Sequence, residues 1–228
     1  MEEANEDLIL SNVLKGSSLI WGNQGLFDTY LLEVRKILHA KENQKKFSVG
    51  EKRALDLLKG HLIEFEPRID QRKEEAPIFN IKAELYRLLN FLLGSLADFI
   101  GIEEQNSWTR LDALFTRKIL NQAAVERLKW ALNTIMNLRI RAHLHCKQES
   151  DEAVHPAAFQ KHKEFVSNLK DAFVLSEEDT ENIVKIYQVL FPLHRVFKEF
   201  SKTHDLALFS SESFFDDSML AQGFAYSK

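Results

Sequence analysis

The chain has 228 residues, of which 45% are hydrophobic and 28% charged, with a formal net charge of −4. Such a composition supplies enough apolar surface for a sizeable core and excludes a disordered polymer. The acidic balance, with a pI near 6.1, argues against a general nucleic-acid partner, which needs a basic footprint.

The first seven residues, Met1 to Asp7, are acidic and lack the basic and apolar regions of a signal peptide. An amphipathic helix follows, carrying Leu26, Tyr30, Leu31, Val34, Ile37 and Leu38, with Asn23 as its expected N-cap. Ser48 is placed to cap a second helix through Leu55, Leu58, Leu62 and Phe65, which Pro67 ends. Arg68 to Glu75 is charged and reads as a solvated connector. Pro77 then opens the most hydrophobic helix, in which Leu85, Leu88, Leu89, Leu92, Leu93, Leu96 and Ile100 cover more than half the circumference. A helix apolar nearly all round is a central, buried one. Its apolar run, Leu88 to Ile102, is too short to span a bilayer.

Gly101 fits a helix end, and Asn106 or Ser107 caps a short helix over 106–114. Asn121 starts a long helix through Val125, Leu128, Leu132, Ile135 and Leu138. Lys147 to Val154 reads as a polar loop, and His155-Pro156 as the start of a helix through Phe159, Phe165 and Leu169. Ser176 and Asp179 hold the positions of a capping box for a helix carrying Ile183, Ile186, Leu190 and Phe197, kinked at Pro192. Ser210 to Asp217 is a polar turn, and Met219 to Tyr226 begins another helix. No segment alternates like a strand. The expected fold class is all-α, a bundle of about eight helices by periodicity. Its parts are 1–76, an N-terminal helical segment packing on the bundle, 77–200, the central bundle, and 201–228, the turn and final helix start.

The single cysteine, Cys146, cannot form an internal disulfide, so a reducing, cytoplasmic location without a membrane partner is expected. Nucleotidyl transfer requires Gly-Ser followed by two carboxylates one residue apart on a strand, where they hold two metal ions. Gly16-Ser17 is followed by Asp28, but Tyr30 stands at the second position. Glu64 and Glu66 alternate, but on a helix they point to different sides. No catalytic residue is assigned on this basis. His143 and Cys146 share a helical face with His155 nearby, yet no full ligand set follows, and no metal site is assigned.

Several short motifs recur in an ordered series. They are Ile20-Trp21-Gly22-Asn23-Gln24-Gly25-Leu26-Phe27, then Asn80, Lys82 and Arg87, then Asn106, Thr109, Arg110 and Leu111. Leu138-Arg139-Ile140-Arg141-Ala142-His143 and Leu190-Phe191-Pro192-Leu193-His194 complete it. In this order, across roughly Ile9 to Glu199, the chain resembles the helical region that follows the catalytic core of PII-uridylyltransferase-like nucleotidyltransferases. Asn23 replaces an Asp of the family's first turn, and the spacing around Asn106 is altered. The resemblance implies that residues 77–200 form the substrate-side domain of a longer parent, the chain itself being non-catalytic and without a cofactor. It implies Mg²⁺ and a nucleoside triphosphate for the parent, with an absent catalytic domain and a protein partner. Lys82, Arg87, Arg110 and Arg139 are the cations it would display toward that domain. A cleft is expected between the central helix and the 106–114 helix, lined by Arg87 and Arg110, with Lys82 at its rim. Gly223 and Tyr226 are spaced like residues in the first helix of a tetratricopeptide repeat, so the chain is expected to be cut from something longer.

Three other readings stand beside this one. The four cations could simply pair with Glu84, Asp98 or Asp112, or snorkel to solvent. Arg139 and His145 match the loose Arg-to-His spacing of HEPN-type helical ribonucleases, whose His transfers a proton and whose Arg stabilises charge. The chain could also be a purely structural interaction bundle, which an exposed apolar groove would favour.

Overall fold

The computed structural model describes residues 16–41, 46–67, 78–154 and 173–217. The 68–75 connector, the helix expected between His155 and Leu169, and the Met219–Tyr226 segment with Gly223 lie outside these residues. Seven helices stand among the described residues, against the eight expected: α1 Gln24–His39, α2 Val49–Glu64, α3 Arg87–Phe99, α4 Ser107–Thr116, α5 Gln122–Cys146, α6 Glu177–Thr203 and α7 Ala207–Ser211. A π-helical turn, Lys82–Tyr86, leads directly into α3. The fold is an all-α bundle.

Polar side chains set the helix starts. Asn23 accepts from the Leu26 amide at 3.1 Å, and Asn121 from Ala124 at 2.9 Å. Asn106, rather than Ser107, caps α4 through the Trp108 amide at 2.9 Å. Ser48 and Glu51 form a reciprocal capping box, as do Ser176 and Asp179. Gly101 closes α3 at φ +69°, a backbone region that costs other L-residues steric energy.

Two sequence expectations are corrected. Ile78–Asn80 does not begin the central helix but forms a strand, β1, and Glu152–Val154 is not loop but a second strand, β2. The two pair antiparallel, Ile78 opposite Val154 and Asn80 opposite Glu152. A third strand, β3 (Phe173–Val174), pairs parallel to β2. Helix formation is deferred to Ile81 because Asn80 acts as a cap. Its side-chain oxygen accepts from the Ala83 amide at 2.8 Å, and Glu84 accepts from the Asn80 amide at 3.0 Å.

The core is continuous from α2 to the tail. Leu88, Leu89, Leu92, Leu93 and Leu96 of α3 are all buried, which makes α3 the central helix. Leu58 and Leu62 of α2, Leu128, Leu132 and Ile135 of α5, and Leu190, Leu193 and Phe197 of α6 surround it. Phe197, Phe200 and Phe209 pack edge to face, with ring centroids 4.9 and 5.2 Å apart for the two pairs involving Phe209. By contrast, α1 buries none of its residues. It is held on α2 by close approach at Gly50, where an added Cβ would stand 3.1 Å from the Leu38 carbonyl.

Pro192 lies within α6, which runs through it as one helix from Glu177 to Thr203. Proline has no N–H, so the carbonyl of Gln188 loses its helical donor. The Asp216 amide donates to that carbonyl instead, at 3.1 Å. The same tail segment is gripped by Asn121, which donates to the Ser210 and Glu212 carbonyls, and by Arg127, which donates to the Ser213 carbonyl at 2.8 Å. Buried Phe214 sits between, at φ 48°.

Two histidines are packed where α2 meets α3 and α6. His194 is buried, with Nε2 3.1 Å from the Leu62 carbonyl. His61 stacks on Phe91 at 4.7 Å and lies 3.3 Å from the Ser95 hydroxyl. Burial pushes both imidazoles below their ordinary value, against the opposing pull of Glu64 on His61 and of the Leu62 carbonyl and Glu66 on His194. A lowered folded value means that the unfolded chain binds more protons near pH 6. The stability these groups contribute is therefore full above about pH 6.5 and is lost as pH falls through the folded values. The denaturant midpoint is expected to fall between pH 7 and pH 5, and a His61→Gln, His194→Gln double variant to show a flatter profile. Equal slopes in both proteins would contradict this assignment.

Candidate functional site

One line of residues four apart runs through the π turn and the largely apolar central helix, Lys82, Tyr86, Asn90, Gly94 and Asp98, with Glu84, Arg87 and Ser95 polar off it. Positions four apart lie on nearly the same helical face. Each member meets α4, α5 or the loop after α5. The Lys82 ammonium is 3.5 Å from Glu149. The Tyr86 ring lies under the Arg139 guanidinium, 4.9 Å from centroid to Cζ. Asn90 accepts from the Ser107 hydroxyl at 2.6 Å. Gly94 leaves room for Arg110, whose Nη1 would be 3.3 Å from a Cβ there. Asp98 lies near enough to Arg110 to support its charge.

The two guanidiniums of this seam are held differently. Arg110 donates from Nε to the Glu104 carbonyl at 2.7 Å, with Nη2 3.4 Å from the Gln105 side-chain oxygen. Burial pushes its pKa down, opposed by Asp98 and Tyr86, yet a guanidinium stays charged at any working pH. Arg139 forms a forked pair with Asp151, at 2.6 and 3.3 Å. Both side chains are almost out of water, 11% and 9% exposed. His143 Nε2 is 3.3 Å from the same carboxylate. Burial pushes the Asp151 carboxyl up, but the hydrogen bond and charge of Arg139, with those of His143, outweigh it and hold the group below the usual range. Asp151 also ties the site to the fold, since its backbone carbonyl accepts from Ile81 at 2.8 Å, just ahead of the π turn. Tyr86 thus stands between two arginines, with Arg139 on its face and the charge of Arg110 nearby. Trp108, donating to Asn133 at 2.8 Å, closes the α4–α5 side.

Of the four cations singled out in sequence, Arg110 and Arg139 approach Tyr86, while Lys82 pairs with Glu149. The Arg87 side chain is exposed and makes no hydrogen bond or ion pair among the described residues. Opposite Arg110 the central helix presents Tyr86, Asn90 and Gly94. Of the acids considered as partners, Glu84 caps β1, Asp98 faces Arg110, and Asp112 pairs with Lys129. Tyr86, Asn90, Ser107 and Asp151 were not among the site candidates, and His143 was weighed only as a metal ligand. The four-residue polar rhythm on an apolar helix could have pointed to the first two. Nothing local marks Asp151 as the partner of Arg139.

Asp28 lies exposed on α1, accepting from Gln24 at 2.8 Å, and not on a strand. His145 is exposed, with its ring 5.8 Å from Phe173, while Arg139 is turned to Asp151. Six positions apart on α5, the two diverge by roughly 120°. No group of three His, Cys, Asp or Glu side chains gathers among the described residues, and His155 lies outside them. No helix among the described residues is long and apolar enough to cross a membrane.

Residues 66–174 match the family described as "Putative nucleotidyltransferase substrate binding domain". That stretch contains β1, the π turn, α3, α4, α5, β2 and the whole of the seam. No curated protein and no solved structure matches the chain.

Proposed function

We propose, from the premise that residues 66–174 carry a nucleotidyltransferase substrate binding domain, that the chain is the substrate-side helical region of a PII-uridylyltransferase-like nucleotidyltransferase and transfers nothing by itself. The observation that carries this reading is the seam. A polar line from Lys82 to Asp98 runs along the central helix, and Arg110 and Arg139 meet it near the Tyr86 ring. Phosphate charge developing at a junction with a catalytic domain needs preorganised cations. Arg139 is locked by Asp151, so it holds its place over the Tyr86 ring, its charge balanced by that carboxylate. Arg110, anchored on the 104–105 backbone and side chain, presents its remaining N–H groups over Gly94. The chemistry of transfer, with Mg²⁺ and a nucleoside triphosphate, belongs to the catalytic domain of a longer parent, and the acceptor is a protein or small molecule.

Two measurements test this. Incubation of the chain with labelled nucleoside triphosphates and Mg²⁺ is expected to give no self-labelling and no acceptor labelling; stoichiometric labelling would overturn the non-catalytic reading. In ¹⁵N NMR the Arg110 and Arg139 Nε–Hε resonances are expected to shift on addition of millimolar Mg-nucleoside triphosphate, and to shift less in Lys82→Ala. Unmoved resonances would reduce the seam to internal ion pairing. A purely structural interaction bundle would then be the better reading. It is favoured by one observation of its own: Ile20 and Trp21 are 96% and 93% exposed at the edge of α1.

A further inference from the structure

A cavity of about 580 Å³ lies between the α3–α4 connection and the α1–α2 pair. Its size falls in the range of about 300–1,000 Å³ typical of small-molecule sites. Leu38 of α1, Leu57 of α2 and Phe99 of α3 give it an apolar floor. Four basic side chains, Arg35, His39, Lys41 and Arg53, and three acids, Glu51, Asp98 and Glu103, line the rest.

Each acid already has a partner. Glu51 accepts from the Ser48 amide at 2.6 Å in the capping box. Glu103 is paired with Arg35 at 2.6 Å. Asp98 supports the charge of Arg110 in the seam. On the basic side, Arg53 is half-buried and makes no hydrogen bond or ion pair among the described residues. A half-buried guanidinium with five unspent donors, above an apolar floor, is complementary to one kind of ligand. We infer that this cavity binds a small organic anion with an apolar body, its acidic head on Arg53 and its body against Leu38, Leu57 and Phe99. Because α1 buries none of its own residues, such a ligand would supply the apolar contact that this helix lacks and hold the hairpin on the α3–α4 connection. The inference does not depend on the seam or on the reading given above.

The probe is 8-anilinonaphthalene-1-sulfonate, an organic anion with an apolar body, followed by fluorescence with the full chain. Saturable binding of one dye per chain is expected. Arg53→Gln is expected to weaken it about tenfold, the loss of one charge-assisted contact, and Leu57→Trp, which fills the floor, to weaken it at least as much. Circular dichroism checks that each variant is folded, and Arg53→Gln removes no core contact. Displacement by decanoate or by adenosine monophosphate supports the site and tells a carboxylate head from a phosphate one. Displacement by neither overturns the inference. So does binding unchanged in both variants, or binding lost in Trp21→Ala instead, which would put the dye on the exposed edge of α1.

Discussion

Arg139→Met is expected to lower the unfolding free energy by about 3–5 kcal/mol, the cost of leaving a buried charge without its partner. The stranded group is Asp151, 9% exposed, and His143 at 3.3 Å replaces only part of what is lost. The loss is not the net worth of the pair. Two charges taken from water together also pay for desolvation, so the double variant Arg139→Met, Asp151→Leu is expected to recover most of the stability. Urea unfolding of the four proteins in the cycle measures both numbers. A single-variant loss below about 1 kcal/mol would mean that the pair behaves like a surface salt bridge.

Leu92→Ala is expected to cost about 2–5 kcal/mol. Leu92 is 0% exposed in the middle of the central helix. It belongs to the continuous buried core that α3 shares with α2, α5 and α6, so little can collapse into the space left. Leu144→Ala on α5 is the matching control. That side chain is 72% exposed, and its removal is expected to change stability by less than about 0.5 kcal/mol. Similar shifts for the two variants would remove α3 from the centre of the fold.

Local features of this structure were readable in the sequence and pairings at a distance were not. Asn23, Ser48, Asn121 and Ser176 act through amides three residues away, so their neighbours in sequence suffice to identify them. The leucines of α3 declare a buried helix by their number alone. The strands could not be seen because they are two or three residues long, shorter than any alternation that could be counted, and because β1 is matched by residues far along the chain. The same distance hid the site. Arg139 was visible as a misplaced cation, but its partner Asp151 lies in a stretch that reads as solvated loop and is brought to it by the β1–β2 pairing. The π turn misled in another way. The Arg87 amide bonds to the Lys82 carbonyl, five residues back rather than four. A count at 100° per residue therefore fails across that turn, and Arg87 cannot be placed from Lys82 by periodicity.

The proline in α6 has a consequence beyond the shape of its helix. With any other residue at 192, the Gln188 carbonyl would be claimed from within the helix. Proline leaves that acceptor without its helical donor, and the Asp216 amide takes it. Position 192 therefore works as an address, written in one helix and read by a segment more than twenty residues downstream. The reader is held in turn by Asn121 and Arg127, so the address also sets where α5 begins relative to α6. A chain that lost Pro192 would keep a helix there, straighter if anything. It would lose the bond that holds Asp216 on α6, and with it part of the clasp between the tail, α5 and α6.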